Sequence, residues 1–161
     1  MAVDMFIKIG DIKGESKDDA HTDEIDVLGW TWGSTNTGTM HSGSGGGSGK
    51  ANISNLNISK KIDCSTPNLL RLCWSGEHVN EATLTIRKAG GANPLEYLVY
   101  VFSKVLVTSV ISNASENDDL ISENVVLNFA ECRIKYTPQA DDGTAGAAVE
   151  AGYNIEANKI I

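Results

Sequence analysis

The side chains of this sequence that could do chemistry are few and dispersed. Its histidines are His21, His41 and His78, with no H-x-x-x-H or H-E-x-x-H spacing to bring two of them onto one metal. Each falls in a segment that reads as a polar loop, so all three are expected to be solvated. Cys64, Cys73 and Cys132 are an odd set with no C-x-x-C pair. That excludes a zinc ribbon and a disulfide framework, and leaves three thiols expected to behave as small, mostly buried apolar groups. Gly49-Lys50 ends a glycine run but fails as a phosphate loop: Ser44 stands where the first glycine belongs, and Ala51 where a magnesium-binding hydroxyl would. Asp141-Asp142-Gly143 begins like a calcium loop, but Pro138 and Ala140 occupy ligand positions and Val149 stands where the closing glutamate is needed. No G-x-S-x-G elbow occurs. Asn52, Asn57 and Asn113 head sequons that read as chance matches. The expectation is a protein with no catalytic, cofactor or metal site.

The elements around these residues are mostly strands. Met5, Ile7 and Ile9 alternate before Gly10, and Asp11 to Glu24 reads as a mobile polar loop. From Glu24 to Gly33 one strand is expected, with Ile25 and Val27 on one face and Leu28, Trp30 and Trp32 on the other, so Thr31 points away from both tryptophans. Thr35 to Lys50 is nearly all Gly, Ser and Thr, with Met40 and His41 its only large side chains: a long flexible loop by composition. Asn52 to Ile62 resumes a strand, with a bulge near Ser54. The one helix runs from Thr66, a suitable N-cap, through Pro67 to Gly76, with Leu69, Leu70, Leu72, Cys73 and Trp74 at helical spacing. Ala82 to Lys88 alternates, with Ala82, Leu84 and Ile86 inward and Thr83, Thr85 and Arg87 outward. Leu95 to Ser112 is a long strand apolar on both faces. Glu123 to Thr137 is another, bent near Ala130 where its apolar phase switches, and Tyr153 to Ile160 is the last. The sum is a mainly β fold: an antiparallel two-sheet barrel or sandwich with one short helix on its side and a long extended loop.

Length and composition set the outer bounds. The 161 residues, 41% hydrophobic, fit a single domain spanning 1–161. The net charge of −8 repels phosphate backbones and argues against nucleic-acid binding. No apolar run reaches membrane-spanning length, and Asp4 and Lys8 interrupt the start before a signal peptide could form. The chain is expected to fold in the cytoplasm and to leave only by a route needing no signal peptide. Two-sided apolar strands, together with Trp30, Trp32 and Trp74, suggest core packing or contact with another subunit. A soluble sandwich that binds carbohydrate on an aromatic platform of Trp30 and Trp32 is the alternative.

The segments MAVDMFIKIGDIKGES, EIDVLGWTWG, the Gly/Ser-rich loop, KKIDCSTPNLL, ATLTIRKAGG and ENVVLNFAECRIKY resemble, in order and over nearly the whole chain, the haemolysin-coregulated protein (Hcp) family of type VI secretion systems. The resemblance implies a homo-hexameric ring. It also implies that rings stack into an inner tube driven out of the cell, in contact with sheath, baseplate and spike proteins, with small effector proteins carried in the lumen. The chain ends at Ile161, just after the last strand, so the plain tube subunit is expected and not a fused toxin. On this reading Thr31 faces the lumen, and the loop holding Met40, His41, Ser42 and Gly45 reaches toward the neighbouring ring.

Overall fold

The strand that organises the molecule is the longest one. In the computed structural model, which describes residues 3–38, 40–41, 48–88 and 91–161, the elements in chain order are β1 (Val3–Ile9), β2 (Ile25–Asp26), β3 (Gly29–Thr31), β4 (Ser34–Gly38), β5 (Ser48–Ile53), β6 (Leu56–Lys61), α1 (Thr66–Ser75), β7 (Val79–Lys88), β8 (Glu96–Asn113), β9 (Ser122–Asn128), β10 (Glu131–Tyr136), β11 (Val149–Asn154) and β12 (Lys159–Ile160). The first part of β8 pairs with β7 and β10, and from Leu106 onward it pairs with β9. It therefore belongs to two sheets, ordered β12-β11-β10-β8-β7-β1-β2 and β3-β6-β9-β8, all antiparallel. Close to this changeover, between Ser103 and Val105, sits Lys104, whose φ of 53° is rare for a residue with a Cβ. A register shift follows between Val107 and Ser109. Together they bend the strand so that the sheets close over one core.

On the opposite side the closure is made by a corner. The single strand expected over Glu24 to Gly33 is broken into β2 and β3. Val27 N donates to Met5 O of the first sheet, while Leu28 N donates to Ser59 O of the second. The break reconciles the two apolar phases: Ile25 and Val27 stay buried, Trp30 and Trp32 pack on the core, and Leu28 is left exposed at the turn. The result is a barrel-like two-sheet sandwich. Its core holds Ile7, Ile9, Leu56, Ile58, Leu84, Phe102, Val105, Val125 and Leu127, with Leu69 the inward anchor of the helix.

Several expectations are revised. Thr35 to Lys50 is not an irregular loop throughout, because β4 and β5 pair into a two-stranded ribbon, here called the arm. Asn36 Nδ2 donates to Gly49 O, and a Cβ on Gly49 would collide with Thr37, so a small residue is what this pairing requires there. The proposed bulge at Ser54 is a full break between β5 and β6. The bend near Ala130 separates β9 from β10, and the last strand is a hairpin of β11 and β12 starting at Val149.

The helix N-cap is Ser65, not Thr66. Ser65 Oγ donates to Asp63 Oδ1, and the Thr66 hydroxyl is drawn into a buried polar cluster instead of capping. Gly76, left-handed at φ 69°, ends the helix as expected and donates to Leu72 O. The inward face of β6 carries Leu56, Ile58 and Lys60, with Ile62 exposed beyond the strand end. Thr85 and Arg87 of β7, expected outside, are covered by the segment before β2.

Candidate assembly surfaces

The outward face of the second sheet follows from its register. Thr31, Asn57, Val126 and Ser109 form one cross-strand row. Gly29, Ser59, Asn124 and Ile111 form the next. Lys61, Ser122 and Asn113 close the end, and Asn128 beside Leu106 lies at the other, where Asn128 Nδ2 donates to Asn55 Oδ1 at 2.9 Å. Lys61 is the only charged side chain in these rows. In a chain carrying −8, that leaves a wall that is neutral apart from Lys61, mostly small polar groups with Val126 and the exposed Ile111 among them. Thr31 stands exposed on this wall and opposite to its neighbours, as alternation requires. Trp30 lies edge-to-face on Tyr100 at 5.0 Å between ring centroids, and Trp32 on the same ring at 5.2 Å. Both are core-facing, so they form no exposed platform for a sugar. Trp74 is different: it projects from the helix, 76% exposed.

Other apolar groups are open to solvent. Tyr136, Val149 and Ile160 lie exposed along the β10–β11–β12 edge. A shallow apolar groove of about 290 Å³ runs between this edge and the arm, lined by Trp32, Ile53, Ile134, Tyr153 and Ile160. Ile62, Leu120 and Ile121 are exposed where Ile62 N donates to Ile121 O. Met40 on the arm is 81% exposed and His41 is exposed beside it, while Ser42 and Gly45 lie outside the described residues.

Beneath the neutral wall lies a group of residues that sequence reasoning missed. Lys60 and Glu123 are both fully buried and bonded to each other. Lys60 Nζ also reaches Asp63 Oδ1 at 3.0 Å and donates to Lys61 O at 2.9 Å. Thr66 Oγ1 donates to Glu123 Oε1 at 2.7 Å. This cluster ties the helix start to the two middle strands of the second sheet, one pair from their end.

The segment from Lys13 to Glu24 is not the free loop its charge suggests. Asp23 N donates to Ser16 O, Ser16 N to Glu24 O, and Gly14 N to Asp23 O, folding it back on itself. A Cβ on Gly14 would lie 2.5 Å from Glu24 O, which is why glycine is needed there. Arg87 holds this strap down, with Nη1 donating to Asp18 Oδ1 at 3.0 Å and Nη2 to Asp18 Oδ2, and Nη2 also reaching Asp4 Oδ2. His21, expected to be solvated, is buried, stacks on Phe6 at 4.4 Å and meets Glu24 and Glu96 through its two ring nitrogens. His41 and His78 are exposed as expected. Of the thiols only Cys132 is buried, and burial raises its pKa. Cys73 is half-buried, and Cys64 is exposed, where the loop before the helix comes to the surface.

The Arg87 guanidinium holds the Asp18 carboxyl down to about 2 from an ordinary 3.8. A depressed carboxylate contributes stability that is complete above its unfolded value and is lost as pH falls through the folded one. Amide protection at Ala20, whose N–H is bonded to Asp18 Oδ1, is therefore expected to persist at about pH 4 and to disappear as pH falls through about 2. Hydrogen exchange read by NMR measures this. Unchanged protection below that range would mean that Arg87 does not hold the strap.

Among the described residues, no group of three His, Cys, Asp or Glu side chains converges as a metal site, and no helix is long and apolar enough to cross a membrane. Comparison with known proteins adds the remaining information. A family model described as "Type VI secretion system effector, Hcp" matches residues 6–136. The protein Hcp1 of Pseudomonas aeruginosa is 55% identical over 159 residues, covering 98% of both chains. A structure described as a type six secretion system protein superposes with a TM-score of 0.92 at 32% identity, covering 99% of this chain and 100% of its own. Hcp1 from Salmonella typhimurium superposes at 0.80 with 40% identity and full coverage of both chains.

Proposed function

Because this chain belongs to the Hcp family of type VI secretion proteins, we propose that it is a structural, non-catalytic tube subunit. Six copies close head to tail into a ring, and rings stack into a tube that is expelled from the cell with small effector proteins in its lumen. The observation that carries this reading is full-length similarity to secretion-system Hcp proteins, joined by exposed apolar groups at separate places on one small domain. A head-to-tail contact needs two different complementary surfaces on each copy, and a closed ring buries both. On this reading the partners are other copies of the chain, the sheath, baseplate and spike proteins, and the cargo.

The first test is assembly. Sedimentation equilibrium at micromolar concentration is expected to give the mass of six chains, and a monomer throughout would sink the proposal.

The neutral wall bearing Thr31 is assigned to the lumen, because a surface without strong charge can pass cargo of either sign. A glutamine at Thr31 lengthens the side chain without adding charge. Thr31→Gln is therefore expected to leave the ring intact by size-exclusion chromatography while lowering the amount of cargo that co-purifies from cells making both. Loss of the hexamer in this variant would place Thr31 at a subunit contact and not in the lumen.

A further inference from the structure

We propose that the strap from Lys13 to Glu24 is a pH-sensitive clasp latched by a doubly protonated His21. The geometry carries this. His21 Nε2 lies 2.7 Å from Glu96 Oε1, and Nδ1 lies against Glu24 Oε2. A neutral imidazole has one N–H and one lone pair, whereas an imidazolium has two N–H donors. With an ionised carboxylate at each nitrogen, only the imidazolium satisfies both contacts. The neutral ring must set a lone pair against one of the two carboxylates, and in a buried site that contact is lost.

The surrounding charges fit this role. From β1, Asp4 and Lys8 face the site; from β7, Arg87; and from the start of β8, Glu96. From the strap and its base come Asp11, Lys13, Asp18, Asp23 and Glu24. The Arg87–Asp18 contact keeps both charges through the range in which histidines ordinarily titrate, because Arg87 stays protonated and Asp18 stays ionised. The strap is thus pinned at Asp18 independently of pH near neutrality, and its His21 half is the part that responds. The sign follows directly. Proton binding favours the closed strap, so the latch is strongest when both ring nitrogens carry a proton and weakens as rising pH removes one. Opening uncovers Phe6 and Thr85 on the outer face of the first sheet and leaves the Thr31 wall untouched. None of this depends on the ring.

The full-length protein tests it in two ways. The ring ¹⁵N shifts of His21 are expected to report both nitrogens protonated at about pH 6. Amide protection of His21 and Glu24, whose N–H groups bond within the strap, is expected to fall about tenfold or more between about pH 6 and about pH 9, after correction for intrinsic exchange. Glu96→Gln distinguishes this latch from general alkaline loosening. Its amide can donate to the bare nitrogen of a neutral His21, so the strap should stay protected and its pH response flatten. A bare ring nitrogen at about pH 6, pH-independent protection in the wild type, or an undiminished response in Glu96→Gln would each overturn the proposal.

Discussion

Lys60→Met is expected to destabilise the folded chain by about 3–5 kcal/mol, a large part of what a domain of this size has. Glu123 is fully buried, and Lys60 is the cation bonded to it. Its other contacts are the hydroxyls of Thr66 and Ser112, which are neutral. Without the lysine, an ionised carboxylate sits in the core or must take up a proton to stay there. The double variant Lys60→Met/Glu123→Leu removes both charges and fills the volume, so it should recover most of the loss, because uncompensated burial is the costly part and not the absence of a pair. Urea unfolding followed by tryptophan fluorescence, at one fixed protein concentration because assembly shifts apparent stability, gives both values. A cost below about 1 kcal/mol for the single variant would show that solvent reaches Glu123.

That pair also marks where sequence reading stops. Strands were legible wherever burial imposes a pattern. The two-sided apolar run of β8 and the phase switch near Ala130 both appear where expected, because a strand shared between two sheets must be covered on both faces and must bend. Pro67 and Gly76 located the helix, since each has a backbone reason to stand at a helix end. Lys60 and Glu123 were not legible. Alternation placed Lys60 on the same face as Leu56 and Ile58, but a lysine there reads as solvated unless its partner is known, and that partner lies on another strand.

The strap failed for a related reason. Its charge suggests freedom, whereas it is tied down by long-range contacts from Asp18 to Arg87 and from His21 to Glu96. The arm failed for the opposite one. Pairing of β4 with β5 buries almost no side chain, so no hydrophobic period announces it. Of the candidate site residues, the face occupied by Thr31 followed from strand alternation alone, and Trp30 and Trp32 separated from Trp74 only once the packing was seen.

Shortening the arm tip by replacing residues 42–47 with an Asn-Gly turn is expected to abolish most secretion while leaving ring formation unchanged. The described arm contributes little to the core: β4 is exposed along its length, and Ile53 at the far end of β5 is the residue packed on the core. The change keeps the last pair, Gly38 with Ser48, and joins them by five residues ending in Asn-Gly, a length that β-hairpins accept. What the arm does present is Met40, a large apolar side chain on an otherwise polar ribbon. Burying such a side chain against a neighbouring ring would contribute about 1.5–3 kcal/mol per copy, and an unbranched thioether adapts to an irregular recess better than most side chains. Multiplied around a ring, contacts of that size are enough to decide whether rings stack. Each would also carry an ordering cost, so stacking would be weak without a template. Met40→Ser tests the contact without altering the length of the arm. It should lower secretion in the same direction as the shortened arm, by about tenfold for each 1.4 kcal/mol of stacking lost. Size-exclusion chromatography of the purified variants reads the ring, and the protein released into the medium at equal cell density reads the tube. Normal release of both variants would remove the arm from stacking, and rings that come apart would make it a contact within the ring.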